Sequence, residues 1–273
     1  MKMNNYIIAS LPDLLWDSEL PGTLVDFLEE NKFLFEPYRE NIDKILMLND
    51  IKNIELILKS RMPIPEELRG NRGREIDFYR DRVLDIEEIE KFLSNPSIFH
   101  PDGYPEFMVD YLEKYKDDAD RLKNIESLYI QYFDYLQHDE SGFFRFYARI
   151  ATTIRTVLAA LRIQKMGLPL EGNLKGDYNV VQTILENRTT SDLGLKSILP
   201  EIHEFIMLMN KEPLELEKEL DRIRFMIMED VGQESLFGDH VIYSYIIGFM
   251  VRNRWNSLDF EAGEKILETI VKG

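Results

Sequence analysis

The feature that most restricts the fold of this chain is an almost uninterrupted apolar run, Val241 to Val251. Only Ser244 and Gly248 break the run, so a helix here would be apolar on every side and would have to be buried on every side. The run is too short for a bilayer span, which takes about 20 apolar residues. We therefore predict a central helix of a water-soluble domain, with Asp239 as its N-cap. A buried pair of strands would also suit the tyrosine and β-branched residues, but no turn signal divides the run.

Apolar residues at helical spacing recur along most of the chain. Helices are predicted from Pro21 onward and at Asn41–Arg61, Asp85–Leu93, Phe107–Leu136, Phe143–Met166, Val180–Leu185, Ile198–Asn210, Pro213–Val231 and Phe260–Val271. The apolar, β-branched stretch Tyr6–Ala9 lies shortly before Pro12, which disfavours helix in front of it, so we expect a short extended segment there. No strand–helix–strand alternation is present, and the predicted fold class is all-α, built from helical bundles.

A weak internal similarity suggests how the bundles are organised. The segments 49–61, 148–165 and 249–258 each place Asn or Thr beside Arg, Lys or Ile on an otherwise apolar helix. A threefold repeat of one helical unit would explain them, and chance similarity among amphipathic helices explains them equally well. With the turn-rich stretch 95–105 as a boundary, the tentative subdomains of the single unit 1–273 are 1–95, 106–196 and 197–273.

Charge and composition exclude several classes of protein. The chain carries 33 basic and 50 acidic residues, a net charge of -17. Such a surface disfavours nucleic acid and anionic lipid, although it suits a basic partner or simply keeps the protein soluble. Cysteine is absent, which excludes disulfides and thiol catalysis and fits a reducing compartment. Neither a signal peptide nor a transmembrane segment is recognisable, so we expect a cytoplasmic protein.

No catalytic constellation rises above background. No two-ligand helical spacing connects the four histidines, His100, His138, His203 and His240. The acidic run Asp117–Asp120 could belong to a Mg²⁺-dependent helical enzyme, but no second motif accompanies it. The Gly70–Arg74 loop could bind an anion through backbone N–H groups, although it lacks the Gly-Lys-Ser/Thr of a P-loop and a solvated loop suits it better. We predict no enzyme activity, no cofactor and no metal.

The C-terminal stretch PLELEKELDRIRFMIMEDVGQESLFGDHVIYSYIIGFMVRNRWNSL resembles the end of the C (or d) subunit of V-type and archaeal-type ATPases. That family typically shows Pro-Leu/Phe-x-x-Glu-x-x-Leu-Asp, a Phe/Gly turn, an apolar helix with Tyr, a Glu/Arg-Asn-Leu/Ile-Arg motif and an Ile-Leu helix. The positions that match in this order are Leu220-Asp221, Phe237-Gly238, Tyr245, Arg252-Asn253 and Ile266-Leu267. Fainter matches occur at Asp50–Leu58 and Arg155–Gly167. The N-terminal YIIASLPDL differs from the family's Tyr-x-x-x-Arg-x-Arg helix. It resembles instead an uncharacterised bacterial group associated with V-type ATPase operons.

The resemblance implies a non-catalytic coupling subunit of three related bundles in a funnel-like arrangement. Such a subunit would sit peripherally on the inner face of the cell membrane, contact the rotor ring and the central stalk, and transmit torque for ion transport. Candidate partner-contact or helix-end residues are Arg72, Arg74, Tyr104, Arg252 and Arg254, and candidate structural residues are Asp239, Gly248 and Tyr245. The alternative hypothesis is a free-standing soluble helical scaffold or regulatory interaction protein.

Overall fold

The computed structural model describes residues 2–17, 20, 22–63, 76, 78–101, 104–209, 211–233 and 238–256. These residues form helices joined by turns and contain no strand, which confirms the predicted all-α class. None of the helices within them is long and apolar enough to cross a membrane. The predicted helix Phe260–Val271 and the loop residues Arg72 and Arg74 lie outside the described residues.

The helices of the described residues are numbered along the chain. In chain order they are α1 (Lys2–Ser10), α2 (Leu24–Glu30), α3 (Lys32–Phe35), α4 (Arg39–Arg61), α5 (Ile86–Ser94), α6 (Glu106–Lys114), α7 (Asp118–Lys123), α8 (Ile125–Gln137), α9 (Gly142–Lys165), α10 (Tyr178–Glu186), α11 (Ile202–Leu208), α12 (Pro213–Gln233) and α13 (Asp239–Asn256). A 3₁₀ turn, Glu36–Tyr38, joins α3 to α4.

The chain divides into two compact units, and neither unit is continuous in sequence. Unit 1 comprises the described residues within Met1–Met47, Tyr79–Arg82 and Glu217–Gly273. Unit 2 comprises those within Leu48–Phe78 and Val83–Leu216. This division differs from the tentative subdomains 1–95, 106–196 and 197–273. Those subdomains were delimited by turn-rich stretches, whereas compactness depends on which helices pack together.

Unit 1 is organised around α13. Its side chains are buried on most sides, including Ile242, Ile246, Ile247 and Phe249, as the apolar run predicts. Phe27 of α2 stacks on Phe249 with ring centroids 5.7 Å apart. A capping box on Thr23 and Asp26 fixes the start of α2.

Unit 2 is organised around the antiparallel pair α8 and α9. Tyr132 of α8 and Phe144 of α9 are completely buried. At the end of α9, Gly167 takes φ 70°, and the Leu168 N–H donates to the Ile163 carbonyl over 3.1 Å. This is the glycine-terminated helix end that the sequence predicts. Asp85 caps α5 and accepts a 2.7 Å bond from the Glu88 N–H.

Three predictions about helix positions need correction. The N-terminal extended segment is wrong, because Tyr6–Ala9 belongs to α1: Pro12 restricts only the residue directly before it, and the fully buried Ile7 anchors the helix. The predicted helix Phe107–Leu136 is three helices, since the Asp117 side chain accepts from the Asp120 N–H and starts α7 anew. The N-cap prediction is displaced by one residue, since Asp239 is the first residue of α13 and the Gly238 carbonyl accepts from the Val241 N–H.

Candidate functional site

A buried carboxylate joins α12 to α13 within unit 1. Asp221 is 3% exposed and accepts hydrogen bonds from Arg254 Nη1 at 2.8 Å and from Trp255 Nε1 at 3.1 Å. Arg224, one turn along α12, donates a third bond over 2.5 Å. Arg254 also pairs with the exposed Glu217 at 2.5 Å. One acidic side chain therefore receives three donors from two helices, which fixes the packing of those helices against each other.

A second buried carboxylate, Asp81, joins the short Tyr79–Arg82 segment to the rest of unit 1. Asn253 Nδ2 of α13 donates to its Oδ2 over 2.8 Å. The backbone N–H groups of Leu24 and Val25, in the first turn of α2, bond to the same carboxylate. Burial raises the pKa of Asp81, and these hydrogen bonds only partly offset the effect of burial. Neighbouring residues of α13 thus serve two different anchors, since Asn253 bonds Asp81 and Arg254 bonds Asp221.

Arg252, predicted as a contact or helix-end residue, lies inside unit 1. It is 7% exposed, and its guanidinium carbon lies 5.5 Å from the centroid of the Trp16 ring, in cation–π geometry. Burial lowers the pKa of Arg252, while the charge of Asp17 acts in the opposite direction. Trp16 also packs on Phe225 of α12, with ring centroids 5.6 Å apart. The Leu11–Trp16 segment is thereby held against both α12 and α13.

Tyr245 and Gly248 occupy the surface of α13 that meets this N-terminal segment. Gly248 is buried, and a Cβ atom there would lie 3.2 Å from Leu14 Cδ2 and 3.5 Å from the Phe225 ring. The absence of a side chain therefore lets both neighbours approach the helix backbone. The Tyr245 ring packs on Phe249, and burial, with a smaller contribution from the charge of Asp13, raises the pKa of Tyr245 to about 12.

Tyr104, predicted as an exposed contact residue, is instead buried in unit 2 with 6% of its surface exposed. Its hydroxyl donates to the completely buried Asp50 of α4, and its ring packs edge-on against Phe92. The Val83 N–H also donates to Asp50, over 3.2 Å. The turn-rich sequence around Tyr104 indicated a surface loop, but its aromatic side chain supplies a donor that the buried carboxylate needs.

Unit 2 also holds a buried arginine that the sequence did not single out. Arg121 of α7 is 5% exposed and donates to the backbone carbonyls of Tyr115 at 2.7 Å, Leu93 at 2.8 Å and Leu112 at 3.0 Å. The Tyr111 hydroxyl donates in return to the Arg121 carbonyl. This arginine satisfies the carbonyl ends of two helices, α5 and α6.

The candidate residues named from the sequence therefore do not form one site. Arg252, Arg254, Tyr245 and Gly248 lie together on α13, Asp239 begins the same helix, and Tyr104 lies in unit 2. Sequence reasoning missed Asp81, Asp221 and Arg121 as anchors. The helical period gave no signal for them: Asp81 lies outside the helices, and three of the four residues that lie three or four positions from Asp221 are charged.

The acidic run and the histidines that the sequence analysis considered for chemistry lie in separate places within the described residues. Within them, no group of three or more His, Asp or Glu side chains is arranged to hold a metal ion. In the acidic run 117–120, Asp117 caps α7 and Asp118 pairs with Arg61 at 3.2 Å. His100, His138 and His203 are exposed and His240 is half-buried, and they lie on separate elements.

The curated proteins to which this chain is similar have names that state no activity. An uncharacterized protein of Chlamydia muridarum is 22% identical over 173 residues, covering 62% of this chain and 65% of the relative. An uncharacterized protein of Chlamydia trachomatis is 22% identical over 175 residues, with the same coverage. The chain therefore spans less than two thirds of the length of these curated relatives. No solved structure matches it. All of residues 1–273 match the family described as "Protein of unknown function (DUF2764)", and the chain belongs to that family.

Proposed function

We propose that the protein is a non-catalytic coupling subunit of a V-type or archaeal-type ATPase. In this role it would link the central stalk to the membrane rotor ring and transmit torque for ion transport. It would bind peripherally on the cytoplasmic face of the membrane, through the ring rather than through lipid. The proposal starts from the sequence resemblance and is supported by where the resembling residues lie.

The observation that carries the proposal is the burial of the polar residues on which the resemblance depends. These residues are all buried, with at most 8% of their surface exposed: Asp50 and Asn53 of α4, Asp221 of α12, and Arg252 and Asn253 of α13. Buried polar residues with hydrogen-bond partners specify how helices pack. A resemblance at these positions therefore favours a shared way of packing helices over a chance likeness of solvated helix surfaces.

The dimensions of the helices suit a mechanical role. The helices α4, α9 and α12 contain 23, 24 and 21 residues, so each is about 30–36 Å long at a rise of about 1.5 Å per residue. Long continuous helices supply stiff elements that pass a force along their axis. The net charge of -17 also favours association with basic surfaces of a partner at low ionic strength.

The test is a pull-down of the tagged protein from gently detergent-solubilised membranes of its own cells, with mass spectrometry of the bound proteins. Recovery of rotor-ring and central-stalk subunits together is the expected result. A second acidic protein with the same tag controls for charge-driven capture. Recovery of the protein alone, or only with unrelated soluble proteins, overturns the coupling role and favours a free-standing helical scaffold.

A further inference from the structure

Unit 1 contains a cavity that the anchors described above do not use. The segment Pro12–Leu14 crosses α12 and α13 and leaves a space of about 180 Å³ beneath it. Apolar side chains form much of its wall, namely Pro12, Leu14, Phe225, Met228 and Val241. Gly232, Gly248 and Ser244 supply the small residues that leave room for it.

The charges at this cavity have one sign. Asp13 and Glu229 line it, both exposed to solvent, and within the described residues its wall contains no lysine or arginine. The Tyr245 phenol lies in the same wall, and the Asp13 carboxylate is close enough to act on it electrostatically. An anionic ligand would meet two carboxylates at close range and is disfavoured.

The size and lining of the cavity further restrict the class of ligand that it can hold. A volume of about 180 Å³ is below the 300–1,000 Å³ of typical cofactor and small-molecule sites. An apolar floor beneath acidic side chains matches an aliphatic stem that ends in a cation, because lysine and arginine bury their methylene groups while the charged head stays at the polar edge. The Phe225 ring adds an aromatic surface to the floor.

We propose that this cavity receives a lysine or arginine side chain of a protein partner. The cationic head lies between Asp13 and Glu229, and the methylene stem lies on Phe225 and Met228. The inference goes beyond the proposed function, since it assigns the chemistry of a contact and holds for any partner protein. The net charge of -17 favours the approach of a basic segment to this surface.

The experiment uses the full chain with ¹³C-labelled methionine methyl groups, observed by NMR. The probe is n-butylammonium chloride, and sodium chloride at equal concentration is the reference. We expect a saturable shift of the Met228 methyl signal and no shift of Met207, an exposed methionine of unit 2. The neutral isostere n-butanol is expected to shift Met228 without saturation.

A matched pair of double variants tests the charges. Asp13→Asn with Glu229→Gln removes the two carboxylates of the cavity and is expected to weaken the probe at least about tenfold, since hydrogen bonds to charged groups are lost. Glu29→Gln with Asp230→Asn makes the same change of net charge at exposed positions outside the cavity and is expected to leave the titration unchanged.

Three results would overturn the inference. The first is no selective Met228 shift with n-butylammonium, and the second is an equal response of the two double variants. The third is saturation by butane-1,4-diamine at a concentration more than about 100-fold lower, which would assign the cavity to a free diamine instead of a protein side chain. These titrations use the purified protein, so their outcome is independent of whether the pull-down recovers ATPase subunits.

Discussion

Replacing Asp221 by alanine is expected to destabilise unit 1 more than any other single charge removal on α12. The change removes the acceptor for Arg224, Arg254 and the Trp255 indole N–H. The two arginine side chains are 37% and 28% exposed, so each pair contributes only about 0.2–1 kcal/mol. The Trp255 indole is 5% exposed, and a buried N–H left without an acceptor costs about 1–3 kcal/mol. The expected loss is about 2–4 kcal/mol.

Tryptophan fluorescence during urea unfolding measures this loss of stability in unit 1 itself. The chain has two tryptophans, and both Trp16 and Trp255 belong to unit 1. The free energy of unfolding is obtained from the midpoint and the slope of the transition. Circular dichroism on the same samples follows the helices of the whole chain.

Glu217→Gln is the matched control. Glu217 is 56% exposed and pairs with the same Arg254, so its loss is expected to cost less than about 1 kcal/mol. If Asp221→Ala and Glu217→Gln shift the transition equally, burial of the carboxylate is not what matters and the reasoning is refuted. A double-mutant cycle of Asp221→Ala with Trp255→Phe should show a coupling of about 1 kcal/mol, because contacting residues are not additive.

Three further predictions concern other residues. Gly248→Leu should destabilise the protein by about 1–3 kcal/mol through overpacking against Leu14 and Phe225, measured as a lower melting temperature; an unchanged value would show that the site has room. Arg121→Met should cost about 3 kcal/mol by urea unfolding followed by circular dichroism, since it leaves three backbone carbonyls without their charged donor, and a loss below 1 kcal/mol would contradict this. Tyr245 has a pKa of about 12 in the folded chain against an ordinary value of 10.0, so it contributes stability that is complete below pH 10 and is lost as the pH rises toward 12. Between pH 10 and 12 the free energy of unfolding of the wild type should therefore fall more steeply than that of Tyr245→Phe. Equal slopes would contradict the raised pKa of Tyr245.

Local chemistry explains why most helices could be predicted from the sequence. The ends of α5 and α9 depend on residues within a few positions of each other, Asp85 with Glu88 and the glycine Gly167, so their signals are visible without tertiary information. The apolar run of α13 likewise determines its own burial. The N-terminal α1 escaped prediction because its only fully buried residue in the described part is Ile7, and one apolar anchor does not reveal a period.

The anchors could not be predicted because their partners are far apart in sequence. Asp81 and Asn253 are separated by 172 positions, and Asp50 and Tyr104 by 54. Even where a sequence pattern shows that a charged residue has apolar neighbours, its hydrogen-bond partner depends on which distant segment of the chain packs against it. For the same reason Tyr104 was assigned to the surface, since the loop that carries it is rich in turn residues while its side chain points inward.

Because the chain is synthesised from its N-terminus, the discontinuity of unit 1 delays the completion of that unit. Met47 ends the first segment of unit 1, and α13, on which Phe27 and Trp16 pack, begins at Asp239. At about 5–20 residues per second, a ribosome needs roughly 10–40 s to make the roughly 190 residues between them. During that interval the apolar surfaces of α2 and of the start of α4 have no α13 to cover them, and the whole of unit 2, which ends at Leu216, is synthesised before α13 begins. Premature termination between Leu216 and Asp239 would therefore release a product that contains all of unit 2 but has an uncovered N-terminal segment, the kind of product that chaperones and proteases recognise.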